Sequence, residues 1–330
     1  MRRILIVAFP GIQTLDVVGP AEVFWTADRL ANGGEYSVEV VASSADALTT
    51  GSGLRLLPHR SLAGVRGPID TLIVAGGTGV EEARRDERLM RWIGSAAPRA
   101  RRVASVCTGA FLLADAGLLA GRRATTHWAA CDELRRRHPD VEVEQAPIFV
   151  RDGDVYTSAG VTAGIDLALA LVEDDLGAAV ARDAARWLVL FLRRPGNQAQ
   201  FSGGPAWQPA ERPPLRDLQS WIADNLTADL SVPALAERAY MSPRNFARAF
   251  RREVGVTPGA YVESVRLERA RAELEAGDTS VEAVAATCGF GTVETMRRAF
   301  QRKFDVNPAA YRSRFRTRGG SHDADRHSAV

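Results

Sequence analysis

The sequence predicts an α/β domain with a mostly parallel sheet, followed by an all-α domain that contains two helix-turn-helix units. Short apolar runs alternate with helical patterns over residues 1–195, the first domain. Proline and glycine then interrupt the chain at residues 196–214, a linker in which neither a helix nor a central strand can continue. Residues 215–316, the second domain, carry helical patterns and an internal duplication. The polar end at 317–330 is expected to be a disordered tail.

Strand and helix candidates alternate along the first domain. The strand candidates are short apolar runs at Ile4–Phe9, Ser37–Ala42, Thr71–Ala75, Arg102–Val106 and Asp154–Ser158. The helix candidates lie at Pro20–Leu30, Glu87–Ala96, Ala110–Ala116 and Gly164–Asp175. Because strands that are joined through helices pair in parallel, we expect a mostly parallel sheet that is covered by these helices.

Composition excludes several classes of protein. The chain is 46% hydrophobic and 25% charged, which is typical of a globular protein. No apolar run approaches the ~20 residues that span a bilayer, and the first run stops at Pro10 without a signal-peptide cleavage pattern. Cys107, Cys131 and Cys288 are too scattered for a disulfide framework or a metal cluster. We therefore expect a cytoplasmic protein with no membrane contact, no metal site and no cofactor.

An internal duplication is the strongest functional signal in the sequence. Residues 231–241 align with residues 280–290, and, after the extra residue Gly291, residues 242–261 align with residues 292–311. The identities within the later segment pair Arg248, Ala249, Phe250, Arg252, Val256, Pro258, Ala260 and Tyr261 with Arg298, Ala299, Phe300, Arg302, Val306, Pro308, Ala310 and Tyr311.

Each copy predicts a helix, a tight turn and a second helix. In the first copy, Ser242 is an N-cap with Pro243 at the first helical position, and Phe246 and Phe250 face the core four residues apart. Thr292 is the N-cap at the matching position of the second copy. The outward side chains are the candidate DNA contacts. They are Pro243, Arg244, Asn245, Arg248 and Arg251 in the first copy, and Thr292, Val293, Thr295, Arg298 and Arg302 in the second copy.

This pattern fits double-stranded DNA. The second helix of a helix-turn-helix unit enters the major groove, where Arg and Asn can bond guanine and adenine and where Thr or Val can meet the thymine methyl group. A long helix at Pro258–Ala276 would let the two units read successive grooves. The alternative is a helical interaction domain whose arginines are solvated, although a basic face on both copies is more than packing requires. Arginines at 312, 314, 316 and 318 could touch phosphate or form a solvated end.

The second half resembles the AraC/XylS regulators from about Leu215 to Phe315. The segments that carry the resemblance are Met241–Phe250, Gly255–Pro258, Arg266–Arg271, Cys288–Phe290 and Ala299–Phe300. The resemblance implies DNA binding by both units, and contact with RNA polymerase if the protein is an activator. Asp305–Pro308 departs from the family, which usually keeps a glycine before this proline, and we expect only a local change in that turn.

Two strand ends of the first domain carry candidate site residues. One strand ends in a glycine-rich loop that contains Gly77, and another ends at Cys107-Thr108, followed by a small-residue turn into a helix. This strand–elbow–helix order exposes nucleophiles in other proteins, and a helix N-terminus lowers a thiol pKa and offers N–H groups to an anion. A lone cysteine after a strand is nevertheless more often a buried small residue than a nucleophile.

Other segments could complete such a site. His127 supplies an imidazole downstream, and Asp16 and Glu22 supply carboxylates upstream. Together with the elbow, these segments resemble the ThiJ/PfpI superfamily over residues 2–190. The segments that carry this resemblance are Leu15–Phe24, Ala75–Gly77, Val106–Gly109, Thr125–Trp128 and Ser158–Asp166. The resemblance implies a flavodoxin-like parallel-sheet sandwich, similar to class I glutamine amidotransferases, in which Cys107 faces Asp16 with His127 nearby.

The order of the two domains resembles that of the GlxA-type regulators, whose first domain is taken as a sensor, and residues 185–201 also fit that subgroup. These regulators answer to small nitrogenous metabolites such as amino acids and betaines. The resemblance implies a transcription regulator, not an enzyme, with DNA and a small effector as partners. We also expect a homodimer formed through the first domain, because paired DNA sites would raise affinity. The expected effector contacts are Asp16, Glu22, Gly77, Cys107, Thr108 and His127.

We expect Asp16 or Glu22 to receive an ammonium group of the effector, and the backbone N–H groups of Gly77 and Thr108 to hold a carboxylate. Two alternatives remain open. The first domain could be a hydrolase or an isonitrile-hydratase-like enzyme with Cys107 as nucleophile, Asp16 as acid and base, and His127 nearby. It could also sense oxidants through Cys107, because an exposed thiol of low pKa is readily oxidised.

Overall fold

The computed structural model describes residues 1–190, 192, 197–201, 210–276 and 279–315. The chain forms two compact units, Met1–Phe201 and Ser202–Val330, and each is described by itself. The first unit ends at Phe201 instead of residue 195, because the Gln198 N–H donates to the Ala146 carbonyl, 3.0 Å away, and joins this turn to the first unit. The predicted tail at 317–330 and residues 202–209 of the predicted linker lie outside the described residues.

The strands of the first unit form one large sheet and two small ribbons. They are β1 (Arg2–Val7), β2 (Tyr36–Ala42), β3 (Leu48–Thr49), β4 (Arg55–Leu56), β5 (Arg60–Ser61), β6 (Ile69–Val74), β7 (Ala100–Val106), β8 (Arg123–Ala124), β9 (Glu142–Val143), β10 (Phe149–Asp152) and β11 (Val155–Ser158). Within the described residues the large sheet has seven strands in the order β10-β11-β7-β6-β1-β2-β5, all parallel except the antiparallel β10–β11 pair. The predicted mostly parallel sheet is confirmed.

Helices cover both faces of this sheet. They are α1 (Thr14–Leu30), α2 (Val80–Arg85), α3 (Glu87–Ala96), α4 (Gly109–Asp115), α5 (Cys131–Arg137) and α6 (Ala163–Trp187). Helices α1 and α6 pack against each other, and α2 packs with α3 and α4. Because right-handed crossovers leave β1 and β6 in opposite directions along the sheet, the two groups lie on opposite faces. The unit is therefore a flavodoxin-like sandwich, as the sequence predicts.

Two helix boundaries differ from the prediction. Helix α1 begins at Thr14, not at Pro20, since Pro20 lies inside the helix although proline favours the first turn. Helix α6 continues to Trp187 past Gly177, whose φ of 84° interrupts the helical backbone. No helix in the described part of the chain is long and apolar enough to cross a membrane.

The carboxyl ends of the central strands meet at one edge of the sheet. Val7 pairs with Val74, Val74 with Ser105, and Val106 with Ser158. The strand order reverses between β1 and β6, because the chain proceeds from β1 to β2 on one side and places β6 on the other side. Ligands of such sheets bind at the carboxyl edge near this reversal, so the fold brings the predicted site segments to the expected place.

Helices are the regular elements of the second unit among its described residues, and turns and loops join them. Its helices are α7 (Pro213–Asp224), α8 (Val232–Arg238), α9 (Pro243–Val254), α10 (Pro258–Ala276), α11 (Val281–Thr287), α12 (Val293–Phe304) and α13 (Pro308–Phe315). The duplication gives two similar aromatic clusters: the ring of Phe250 lies 5.3 Å from that of Tyr261, and the ring of Phe300 lies 5.2 Å from that of Tyr311. Each copy is therefore a separate helix-turn-helix unit with its own core.

Candidate functional site

Cys107 occupies the predicted elbow at the end of β7. Its φ of 57° is unusual for a residue with a side chain, and its N–H donates to the Ser158 carbonyl, 3.0 Å away. Its carbonyl accepts a 2.7 Å hydrogen bond from Thr126 Oγ1. Gly160 packs so closely on the elbow that a Cβ there would collide with Cys107. Contacts from both neighbouring loops thus hold the strained turn in place.

Asp16 lies beneath the elbow and is fully buried. Its Oδ1 accepts from the Val161 N–H at 2.7 Å, and its Oδ2 accepts from the Gly76 N–H at 3.1 Å. Burial raises the pKa of the Asp16 carboxyl to about 6, although the hydrogen bonds from Val161 and Gly76 oppose that rise. Since both oxygens bind backbone within the protein, Asp16 joins two loops and does not face an ammonium group, contrary to the expectation from the sequence.

The Cys107 thiol is buried, as is common for a lone cysteine after a strand, and is not the exposed, low-pKa group that the alternatives of catalysis and oxidant sensing require. Only 8% of the residue is exposed, and burial together with the nearby Asp16 charge raises the pKa of the thiol to about 12. Hydrogen bonds from Thr108 act in the opposite direction but are outweighed. Helix α4 is only seven residues long, so its N-terminal dipole gives limited help. The thiol is therefore protonated near neutral pH.

Thr108 and Gly77 bind each other. The Gly77 N–H donates to Thr108 Oγ1 at 2.9 Å, and the Thr108 hydroxyl donates to the Gly77 carbonyl at 3.1 Å. This exchange joins the loop after β6 to the loop after β7. The Gly77 N–H is thereby occupied within the protein, which differs from the predicted role of holding a carboxylate.

The structure places His127 near the site but not Glu22. Glu22 is exposed on α1, and six residues along a helix place it roughly 240° around the axis from the buried Asp16. The structure does not bring Glu22 to the site. His127 is half-buried, and its Nδ1 accepts from the Ala129 N–H at 3.3 Å as the N-cap of a short 3₁₀ turn. Burial lowers the pKa of the His127 imidazole from its ordinary value and so favours the neutral ring.

A cleft of about 260 Å³ opens beside the elbow. We call it the elbow cleft, and it is lined by His127, Trp128, Ile148, residues 159–163, Gln198 and Phe201. It adjoins the elbow through Gly160, which touches Cys107, and through Val161, which donates to Asp16. The sequence interpretation missed Gln198 and Phe201 because they fall inside residues 196–214, the stretch predicted to be the linker.

The predicted outward residues of α9 are exposed. Pro243, Arg244, Asn245, Arg248 and Arg251 face solvent, while the opposite side of the helix is buried. Asn245 Oδ1 accepts a 3.3 Å hydrogen bond from Arg248, and no side-chain hydrogen bond or ion pair of Arg244 or Arg251 occurs among the described residues. The Ser242 side chain makes no capping hydrogen bond, although Ser242 does occupy the N-cap position.

The outward face of α12 is arranged differently. Thr292 caps the helix by accepting from the Thr295 N–H at 3.1 Å, and Val293 is only partly exposed. Arg298 is exposed and contacts Glu294 at 2.8 Å, while Arg302 contacts Glu263 of α10 at 2.7 Å. The face is basic, but its cations are paired with acidic side chains of the same unit.

Comparison with known families identifies both units. Residues 2–174 match the DJ-1/PfpI family, and residues 235–314 match a helix-turn-helix domain. The chain belongs to the DJ-1/PfpI family. The predicted ThiJ/PfpI and AraC-type resemblances are both confirmed. This member of the family carries a helix-turn-helix unit behind the α/β unit, so it is a DNA-binding transcription regulator.

Three curated relatives bear on this assignment. The HTH-type transcriptional regulator Rv1931c of Mycobacterium tuberculosis is 36% identical over 277 residues, which cover 75% of this chain and 96% of that protein. The HTH-type transcriptional regulator GlxA of Rhizobium meliloti is 29% identical over 64% of this chain and 65% of that protein. The isonitrile hydratase of Pseudomonas putida is 38% identical over 203 residues, 61% of this chain and 82% of that protein. The enzyme match covers only the first unit, so the regulator assignment accounts for more of the chain.

A solved structure supports the fold of the first unit. A ThiJ/PfpI family protein from Pseudomonas syringae matches with a TM-score of 0.53 and 30% identity, over 59% of this chain and 77% of that chain. The flavodoxin-like sandwich of this DJ-1/PfpI regulator is therefore shared with an experimentally determined member of the family.

Proposed function

We propose that this regulator binds a small nitrogenous metabolite in the elbow cleft and that the bound metabolite changes the affinity of the second unit for DNA. The observation that carries the proposal is the cleft itself. It lies at the carboxyl edge of the sheet, and the aromatic side chains of His127, Trp128 and Phe201 contribute to its walls. Aromatic faces attract amines and amides and bury large apolar areas, which suits a small nitrogenous ligand.

The geometry around Cys107 favours sensing over catalysis. A nucleophilic cysteine needs a thiolate, and the pKa of the Cys107 thiol is raised to about 12. Asp16 is fully buried and accepts from the Val161 and Gly76 N–H groups, so it is poorly placed to exchange a proton with a substrate. The same raised pKa and burial weaken the hypothesis of a redox sensor. A protonated, buried thiol is instead suited to forming part of the wall beneath a cleft.

The proposal is tested on the full chain with DNA from the region upstream of its own gene. We expect at least one compound from a panel of amino acids, betaines and aldehydes to change DNA affinity, measured by fluorescence anisotropy. Trp128→Ala should abolish that response and keep DNA binding without the compound. Trp92→Ala is the matched control, because Trp92 is also partly buried but lies on α3, and it should respond like the wild type. A normal response of Trp128→Ala would refute the site.

For DNA we propose that α9 and α12 enter successive major grooves. Their exposed faces present the base-contact candidates, and α10, which spans 19 residues between them, is roughly 28 Å long, close to one turn of DNA. A hydroxyl-radical footprint should show two protected patches about one helical turn apart on one face of the duplex. A single patch would overturn the paired docking. If the protein activates transcription, RNA polymerase is a further partner.

We propose that the regulator is a homodimer that assembles through the first unit in the cytoplasm. Trp25 of α1 and Trp187 of α6 are 54% and 58% exposed, which is high for tryptophan. The Arg29 guanidinium lies 5.3 Å from the Trp25 ring and 4.0 Å from the Trp187 ring, so the three side chains form one continuous surface. The double variant Trp25→Ala/Trp187→Ala should sediment as a monomer. Leu57→Ala, at another exposed apolar site, should leave the dimer intact.

A further inference from the structure

Gln198 stands in the wall of the elbow cleft and is almost completely buried, with 3% of the residue exposed. Its side-chain N–H₂ donates to Thr125 Oγ1 at 2.8 Å and to the carbonyls of Thr126 and Pro147, both at 3.1 Å. These contacts fix which end of the amide is which, because the reverse orientation would set the amide oxygen against two carbonyl oxygens. The nitrogen end is therefore satisfied within the protein.

The oxygen end of the Gln198 amide is not satisfied within the described residues. Gln198 Oε1 is buried and has no hydrogen-bond partner among the described residues. A buried acceptor without a partner typically costs about 1–3 kcal/mol, so native proteins rarely retain one without a use for it. The planar amide directs Oε1 away from Thr125, Thr126 and Pro147, and Gln198 lines the cleft. The unmet acceptor therefore lies in the wall of the cleft, within a side chain that lines it.

The remaining lining sets the chemistry of that ligand. Of the described residues that line the elbow cleft, none is Asp, Glu, Lys or Arg. His127 is the titratable side chain in the wall, and its pKa is lowered by burial. With no carboxylate to balance a cation, the cleft favours an uncharged group, and the rings of Trp128 and Phe201 favour a flat or apolar body.

We propose that Gln198 Oε1 accepts a hydrogen bond from the ligand, so that the elbow cleft selects small uncharged molecules that carry an N–H donor, such as a carboxamide. This inference rests on the proposed effector function and narrows it. A ligand whose nitrogen is fully alkylated has no proton to give, and its binding would leave Oε1 unpaired.

The test uses benzamide and acetophenone, which have nearly the same shape and differ in that an N–H₂ group replaces a methyl group. Isothermal titration of the full chain should give a Kd for benzamide about tenfold lower than that for acetophenone. Equal Kd values would mean that water satisfies Oε1, and would overturn the donor requirement while leaving an effector site in the cleft. If neither probe binds, both the inference and the proposed elbow-cleft site are overturned.

Two variants locate the preference. Gln198→Leu should reduce the ratio of the two Kd values to about one, because leucine has no acceptor. Gln200→Leu is the matched control: Gln200 lies on the same 3₁₀ turn, Gln198–Gln200, and is 4% exposed, but it is outside the cleft lining. This variant should keep the wild-type ratio. A preference that survives in Gln198→Leu would overturn the assignment, and the wild-type ratio stands as a test even if Gln198→Leu folds poorly.

Discussion

The two helices proposed to read DNA, α9 and α12, descend from one duplicated segment and carry the same net charge. They differ in where the acidic residue lies and in whether it pairs with the arginines. Each has four cationic side chains and one acidic side chain. In α9 the acidic residue is Glu253, near the end of the helix, and Arg244 near the start is exposed. In α12 the position that matches Arg244 is Glu294, which binds Arg297 at 2.7 Å and Arg298 at 2.8 Å.

The difference teaches that net charge does not measure how readily a helix binds phosphate or bases. Hydrogen bonds from Arg297 and Arg298 lower the pKa of Glu294 to about 2, so Glu294 stays ionised and competes with DNA for both arginines. Arg302 is likewise paired, with Glu263. Exposed ion pairs are individually weak, so this competition reduces the contribution of α12 to DNA affinity without abolishing it. We expect α9 to supply the larger share of base recognition.

The turns before the two helices should differ most under mutation. Tyr240 and Gly289 occupy matching positions, with φ values of 56° and 74°, but Tyr240 is 94% exposed. A Cβ at Gly289 would collide with the carbonyl of Leu226, to which Arg266 donates at 2.8 and 3.1 Å. Gly289→Ala should lower the free energy of unfolding by about 3 kcal/mol, whereas Tyr240→Ala should change it by less than about 0.5 kcal/mol. Urea titration of the full chain measures both, and similar losses would contradict the comparison.

The second-largest expected difference lies between Arg244 and Arg298, in their contribution to DNA affinity. Arg244→Ala should weaken binding to upstream DNA about tenfold, because it removes an unpaired cation that can reach a base. Arg298→Ala should weaken it about threefold or less, because Arg298 must first leave Glu294. Fluorescence anisotropy at one fixed salt concentration compares them. Arg269→Ala, on α10 and paired with Glu273, serves as control and should bind as the wild type does. Equal losses of DNA affinity in Arg244→Ala and Arg298→Ala would contradict the proposed difference between α9 and α12.

The N-caps offer a smaller contrast. Thr292 Oγ1 accepts from the Thr295 N–H, whereas the Ser242 side chain caps nothing. Thr292→Ala should therefore reduce the free energy of unfolding by about 1 kcal/mol, and Ser242→Ala by only a few tenths, roughly 0.3 kcal/mol. Thermal denaturation of both variants in one buffer measures the difference. An equal loss would show that Ser242 caps α9 in solution.

Removing Glu294, which competes with DNA for two arginines, should give the smallest effect, and it should raise DNA affinity instead of lowering it. Glu294→Ala releases Arg297 and Arg298, and we expect DNA affinity to rise about threefold. Glu282→Ala removes another exposed acidic side chain, on α11, and controls for the general change in charge. A gain of the same size in both variants would show that the ion pairs on α12 have no special role.

Much of this arrangement follows from local sequence. The duplication predicts both helix-turn-helix units, and the helix predicted at Pro258–Ala276 has the observed bounds because proline starts it and few breakers interrupt it. The pairing of Glu294 with Arg298 has a signal too, since residues four apart share a helix face. The outward faces were instead chosen for side chains that can contact bases, and acidic neighbours on the same face were not weighed.

The candidate ligand site was less predictable from the sequence, because burial determines which of its side chains a ligand can reach. Cys107, Asp16 and His127 were expected for their chemistry, but the low exposure of Cys107 and Asp16 is a property of the packed loops around Gly76, Gly160 and Val161. Gln198 depends on contacts with residues 125, 126 and 147, which are far away in the sequence. A glutamine beside a run of glycines and prolines gives no local sign of such partners.

Gln198, in the wall of the cleft, belongs to the 3₁₀ turn Gln198–Gln200 and lies four residues before the DNA-binding unit begins at Ser202. We therefore expect a ligand that binds Gln198 to act close to the start of the DNA-binding unit in the sequence. Thermodynamic reciprocity requires that whatever factor an occupied cleft imposes on promoter affinity, the promoter imposes on the cleft. Protein bound to its promoter and protein free in the cell would then differ in their affinity for the metabolite.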